Sequence, residues 1–211
     1  MVFISKILFF MSHHGFLTVV FLFIIFGGLS ALTKKWYLLG IAFILSIGNV
    51  IGGQFLNAWF LNKYGTESTA VITSDVETSS TLNDRYIHDY EAIVKKQNGS
   101  YVTTFFSTTT AAIYPIENAI RIPRKETRFP VKFIPGYEKN IVILYDRSDE
   151  GKMLLKYEKR KPVEKARIQY EADPGNPEFI SHYRSALQNY LKEYDDPEYQ
   201  ERLNQLENRS F

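Results

Sequence analysis

The first 61 residues contain no Asp or Glu, and within them two long apolar runs are separated by a single Lys34-Lys35 pair. The first run is Gly15 to Leu32, lengthened at its start by Ile7 to Met11; the second extends from Trp36 to about Leu61. Each reaches the roughly 20 residues that a helix needs to cross a hydrocarbon core about 30 Å thick. A single long buried helix is disfavoured, because a Lys at the bilayer centre costs about 2.5–3.5 kcal/mol while each Leu, Ile, Phe or Val contributes only about 0.3–0.6 in return. Lys34 and Lys35 therefore belong at an interface, with Trp36 and Tyr37 beside them as aromatic anchors. The expected fold class is a membrane α-hairpin of two transmembrane helices carrying a soluble α+β part. A cleaved leader is the competing reading of the first run. Gly28-Leu29-Ser30 supplies a small-x-small site, but the apolar stretch exceeds the usual h-region of about 7–15 residues and only Lys6 precedes it as a basic side chain.

Gly48-Asn49-Val50-Ile51-Gly52 is a GxxxG step, and Gly27 to Ala31 repeats the small-xxx-small spacing on the first helix. Such steps let backbones approach closely where no hydrophobic force drives helices together. They predict either packing of the hairpin on itself or a seam for a second copy or a partner helix. Asn49 is placed near mid-membrane and facing protein. Positive charge near the helix ends sets orientation. The turn carries Lys34 and Lys35, whereas Asn62 to Leu82 is acidic and hydroxylated with Lys63 as its only cation. That bias favours a two-pass bacterial inner-membrane protein with a cytoplasmic turn and a periplasmic soluble domain.

There is no cysteine, which excludes thiol catalysis, thiolate zinc sites and structural disulfides. Of the 25 Lys and Arg, three (Lys6, Lys34, Lys35) fall in the first 62 residues, leaving 22 to face 23 acids in the remainder. Such a balance gives no basic excess for nucleic acid. Arg121, Arg124, Lys125 and Arg128 form the one dense basic stretch, interrupted by Pro123 and Glu126; they read as a solvated loop, with anionic headgroups the alternative contact.

Residues 63–150 read as a β-domain. Thr69 to Val76 is a first strand, and Tyr86 to Val94 alternates with one aromatic face. Asn98-Gly99 before Tyr101 to Thr108 predicts a hairpin with a type I′ turn; a glycosylation site at Asn98-Gly99-Ser100 is the weaker alternative. Ala119 to Ile122, Phe129 to Ile134 and Asn140 to Tyr145 are three further strands, with Pro135-Gly136 turning between the last two. A small antiparallel barrel or a curled sheet is the expected result. Residues 151–211 read as a helical hairpin: Asn176 at an N-cap, Pro177 at N1, then an apolar face of Phe179, Tyr183, Ala186, Leu187, Tyr190, Leu191 and Tyr194. Asp196-Pro197-Glu198 opens the next helix. Phe179, Tyr183, Tyr190 and Tyr194 are the candidate face for a partner.

Gly65-x4-Ala70-x-Ile72, the Tyr-rich second strand, the Asn-Gly hairpin and Phe129-x-Val131-x-Phe133-x-Pro135-Gly136 together resemble a bacterial family of membrane-anchored small β-domains of unknown function. The same region, about Gly65 to Tyr145, is similar to the NfeD-like proteins, in which transmembrane helices precede an OB-type barrel. The chain departs from the first family by placing both helices before the domain and adding C-terminal helices, and from the second by lacking its glycine-rich strand pattern. The resemblance implies a membrane-anchored binding domain and assigns no functional residues.

No GxSxG, HExxH, P-loop or dinucleotide fingerprint occurs. His13 and His14 point about 100° apart on a helix and read as interfacial polar residues, and His182 reads as surface. On its own strand His88 shares a face with Tyr86 and Tyr90, not with Asp89 or Glu91. Catalysis would require a cleft bringing His88 to a hydroxyl and a carboxylate. The sequence thus predicts no catalytic, cofactor-binding or metal-binding residue. It points to a non-enzymatic binding protein: an accessory subunit or interaction module, with a membrane-tethered immunity-type protein or a membrane-bound hydrolase as the alternatives.

Overall fold

The computed structural model describes residues 1–208. Three helices open the chain: α1 (Val2–His13), α2 (Gly15–Thr33) and α3 (Tyr37–Tyr64). Six strands follow: β1 (Thr66–Leu82), β2 (Arg85–Lys95), β3 (Tyr101–Ser107), β4 (Ile113–Tyr114), β5 (Arg128–Ile134) and β6 (Tyr137–Leu144). The chain then forms α4 (Asp149–Ala172), α5 (Pro177–Leu191) and α6 (Pro197–Asn208). Two compact units result, one ending at Glu150 and one beginning at Gly151.

Helices α2 and α3 are long and apolar enough to cross a membrane. At about 1.5 Å per residue, the 19 residues of α2 rise about 28 Å, close to one hydrocarbon core. The residues before it form a separate helix instead of lengthening it, because the chain breaks at His14 (φ −124°, ψ 55°). At the other end Lys34 takes the left-handed conformation that reverses the chain, and Ser30 Oγ donates to the Lys35 carbonyl (3.1 Å).

The hairpin seam lies in a different phase from the glycine steps. The buried small residues of α3 are Ala42, Ser46, Asn49, Gly53, Asn57 and Ala58, a stripe at three- and four-residue spacing. Asn49 Nδ2 donates to the Met11 carbonyl (3.1 Å), and a Cβ on Gly53 would meet Asn49 Oδ1 at 2.8 Å. A Cβ on Gly48 or Gly52 would meet no described atom within 4 Å. Gly48 precedes Asn49 by about 100° of rotation, so when Asn49 faces the seam Gly48 faces outward. On α2, a Cβ on Gly27 would reach Leu39 only at 4.0 Å, and Ala31 is exposed. Asn49 itself meets α1 just before the α1–α2 break.

The expected 62/63 boundary does not separate compact units. Leu8 of α1 and Ala58, Phe60 and Leu61 of α3 share a core with Ala112, Ile134, Val142 and Leu144 of the sheet region. The other face of the sheet builds a second core from Ile72, Val94, Phe106, Phe129, Val131, Phe133 and Ile143. The sheet order is β3-β2-β1-β5-β6-β4; every pairing is antiparallel except β4 with β6, which is parallel. It is therefore mixed and curled but not closed. A side-chain hydrogen bond links edge strand β3 to β6, Thr104 Oγ1 donating to the Lys139 carbonyl (2.6 Å). Helix α1 lies over this gap: His13 Nε2 is 3.3 Å from the Phe105 carbonyl oxygen, and Phe9 meets Tyr137 edge-on at 5.6 Å. Covering an exposed edge in this way removes a template for intermolecular pairing.

Three buried polar side chains fix how the helices dock. Asn57 Nδ2 donates to Asn140 Oδ1 (2.8 Å), and Asn140 Nδ2 is 2.9 Å from Asn57 Oδ1 and 3.0 Å from the Ser5 carbonyl oxygen. Ser5, Asn57 and Asn140 thereby join α1, α3 and β6 with their amides paired, the condition for burying them at low cost.

Ala119 to Ile122 is a loop, not a strand, and β4 occupies only Ile113–Tyr114. At Asn98-Gly99 only Gly99 has positive φ (84°), so the turn is not type I′; Lys96 N–H donates to the Ser100 carbonyl and Gly99 N–H to that of Lys96. Two consecutive positive φ values occur instead at Asn83 and Asp84, which join β1 to β2. Gly136 (φ 93°) makes the Pro135-Gly136 turn as expected.

The second unit is three helices, not a hairpin. Val163 and Ala166 of α4 pack with Tyr183, Leu187 and Tyr190 of α5 and Tyr199, Leu203 and Leu206 of α6. Asn176 caps α5 by accepting from Glu178 N–H (2.9 Å). Asp196 has a second role beyond opening α6: its carboxylate is buried, 2.6 Å from Arg160 Nη2 and 3.3 Å from the Tyr190 hydroxyl. Burial alone would raise the Asp196 pKa, but the Arg160 hydrogen bond and charge overcome it and hold the carboxyl below its ordinary value. A depressed folded-state pKa stabilises above the unfolded value of about 3.9 and is lost as pH falls through the folded value. We predict that the helical unit loses stability below about pH 4 and that Asp196→Asn flattens that limb. Thermal melts followed by far-UV circular dichroism across acid pH read this difference. Parallel profiles for the two proteins would remove Asp196 as its source.

Candidate functional site

Beyond the shared core, β1 and β2 continue as a two-stranded ribbon ending at Asn83-Asp84. Two bulges interrupt its register, between Ile72 and Ser74 and between Glu77 and Thr81. On one face His88 lies opposite Glu77, and its Nδ1 is 2.6 Å from Asp75 Oδ1. Its Nε2 is 3.7 Å from Glu77 Oε2. His88 is therefore not isolated on its strand. The carboxylates come from the neighbouring strand, where reading β2 alone places none.

This cluster opens into a cleft of about 720 Å³, lined also by Tyr90, Thr108, Asn118 and Ile120. Thr108 Oγ1 accepts from His88 N–H (2.9 Å) and so bonds the main chain, not the imidazole. Tyr90 stacks on both His88 and Phe106, and burial followed by the Asp75 charge raises its phenol pKa. An acid–base histidine needs one ring nitrogen orienting and the other facing a reacting group. Here both nitrogens face carboxylates, so the geometry is that of a cross-strand polar clasp.

A second cleft, of about 710 Å³, lies between the end of α1 and the opposite face of the ribbon. Phe9, His13, His14, Val76, Glu91 and Phe105 are among its lining residues. Among the described residues, no group of three or more His, Asp or Glu is placed to hold a metal.

The anchors Lys34, Lys35, Trp36 and Tyr37 sit together at the exposed hairpin turn. The candidate partner face on α5 is turned inward: Tyr183 and Tyr190 are core residues, and Phe179 and Tyr194 are half-buried. Amphipathic periodicity locates an apolar face but does not say whether α4 and α6 already cover it. Of the basic stretch, Arg121 pairs with Glu117 and Arg124 with Glu150. Close to the α3–β1 joint, Arg147 grips Glu67 through both terminal nitrogens (2.7 and 3.0 Å), which holds the Glu67 pKa below its ordinary value.

No protein-family model matches the chain, and neither a characterised protein nor a solved structure is significantly similar to it.

Proposed function

We propose that the protein is a two-pass bacterial inner-membrane protein that acts by binding, as an accessory subunit or interaction module joined to its partner, or to a second copy, within the bilayer. The observation that carries this reading is the bare Gly48–Gly52 step. The hairpin seam uses Ala42, Ser46, Asn49 and Gly53, leaving Gly48 and Gly52 with open space around them. On a membrane helix such a step accepts another helix at short backbone distance. The ribbon clasp at His88 supports binding over hydrolysis, since neither ring nitrogen faces a hydroxyl.

The cysteine-free sequence makes this directly testable. Single cysteines at Gly48 and Gly52 are expected to cross-link in native membranes several-fold more efficiently than one at Val50, which is exposed on the far side of the helix, about 160° away. Equal, weak cross-linking at all three positions would sink the reading. A toxin bound tightly by the extramembrane part, with no in-membrane adduct, would favour the immunity-type alternative.

The Lys34-Lys35 turn supports a cytoplasmic turn and a periplasmic sheet. A reporter active only in the cytoplasm, fused after Phe211, is accordingly expected to be silent; activity there would invert the orientation.

A further inference from the structure

The apolar surface of the first unit ends at different heights on its two sides. Toward the sheet, polar groups begin at the α1–α2 break, where His13, His14, Asp89 and Glu91 line one cleft. Away from the sheet, the apolar surface runs on. Phe3, Ile4 and Ile7 of α1 and Phe55, Leu56 and Trp59 of α3 are all exposed, Phe3 at 74% and Leu56 at 50%. The break lies beside Asn49 and Gly53, since Asn49 bonds Met11 and Gly53 approaches Ser12. Trp59 is six to ten residues further along α3, or about 9–15 Å at 1.5 Å per residue.

The extended side ends in its own girdle. The Lys63 ammonium lies over Trp59 (5.1 Å) and Tyr64 (5.3 Å). Aromatic and cationic residues of this kind mark membrane–water interfaces, as Lys34 to Tyr37 do at the turn. From Tyr37 to Trp59, α3 rises about 33 Å, one hydrocarbon core with a modest tilt.

We infer that the bilayer boundary crosses the helices obliquely. The outward faces of α1 and of the last turns of α3 are embedded in lipid, while the sheet side of the same helices is in water. Helix α1 is then an interfacial helix: one face, with Ser5 and Leu8, is packed on the protein, and the other, with Phe3, Ile4 and Ile7, is in the acyl–headgroup boundary. The occupant of this apolar face is lipid, because the face is continuous with the lipid-facing surface of the spans and is closed by a girdle. The sheet is consequently held against the membrane surface. This inference rests on the transmembrane reading of α2 and α3.

The chain's two tryptophans, Trp36 and Trp59, provide the test. The full chain is reconstituted into phosphatidylcholine–phosphatidylglycerol vesicles with or without bromine on the acyl chains. Three single-tryptophan proteins are compared: Trp36→Phe, Trp59→Phe, and Phe3→Trp in a background lacking both natural tryptophans. Trp59 and the residue at position 3 are expected to be quenched by brominated chains at least as strongly as Trp36, and to resist aqueous iodide. Iodide quenching at either position without bromine quenching overturns the inference. Shielding of either from both quenchers also overturns it, because protein would then cover the face. If Trp36 is untouched by brominated lipid as well, the transmembrane reading itself fails.

Discussion

Asn140→Ala is expected to destabilise the first unit by about 2–4 kcal/mol, an effect large for a polar residue. Asn140 is 1% exposed and satisfies Asn57 on α3 and Ser5 on α1 at once. Truncation strands the Asn57 amide in a buried site, at about 1–3 kcal/mol for the unpaired group, and adds a small cavity. Removing both amides is a different experiment. Asn57→Leu with Asn140→Leu removes both amides of the pair together, so that only Ser5 loses its Asn140 contact, and the double variant is expected to be more stable than the sum of the singles by more than about 1 kcal/mol. Denaturant unfolding in mild detergent measures all four corners of the cycle, with hydrogen exchange of α1 amides reporting the first unit separately from the helical one. Additive single effects would show that the amide pair does not couple α3 to β6. Because α1 is held through the same triangle, its amides are expected to lose protection first.

That triangle also marks where sequence reading stops. The long apolar helices were legible because span length and charge cost are one-dimensional properties. Strands β3 and β5 were legible because their alternation reflects a buried face, as with Phe129 and Val131 against exposed or half-exposed neighbours, and β6 was legible as a short apolar run buried on both faces. The outer half of β1 was not, because Glu77 to Leu82 have no buried residue to impose alternation. The phase of the helix seam was not legible for a related reason. Glycine is the strongest small-residue signal, yet the seam is built mainly from Ala42, Ser46 and Asn49, and outward Gly48 and Gly52 stand beside them in sequence. The clasp of His88 with Asp75 depends on strand register across a bulge, and that register is a tertiary outcome. Asn57 and Asn140 carry no mutual signal at a separation of 83 residues.

Gly65→Ala is expected to cost about 1–3 kcal/mol and Gly65→Val more, although any residue tolerates the backbone there. Gly65 has φ −78° and ψ 152°, so conformational freedom is not why glycine is needed. Space is the reason. A Cβ would collide with the Leu61 carbonyl oxygen and lie 2.9 Å from Lys132 Cβ and 3.2 Å from Phe133 N. Neither neighbour yields readily. The Leu61 carbonyl accepts the N–H of Gly65 at the end of α3 (2.8 Å). Lys132 is held by its ammonium on the Asn62 carbonyl (2.9 Å), and Phe133 is wholly buried. Relief therefore requires α3 to move away from β5. Elsewhere a Gly→Ala change stabilises by about 0.4–1 kcal/mol through the unfolded chain, so the sign of the effect is diagnostic. Gly40→Ala, where a Cβ meets open space, serves as the matched control and is expected to be neutral or slightly stabilising in detergent. If Gly65→Ala behaved like Gly40→Ala, the joint would have slack. A tight joint means that α3 enters β1 with no linker, so the tilt of the helix sets the attitude of the sheet. Loosening the joint is then expected to free the sheet, and α1 packed on it, from the membrane surface while leaving the spans inserted, seen as loss of bromine quenching in the Phe3→Trp protein with Trp36 and Trp59 unchanged.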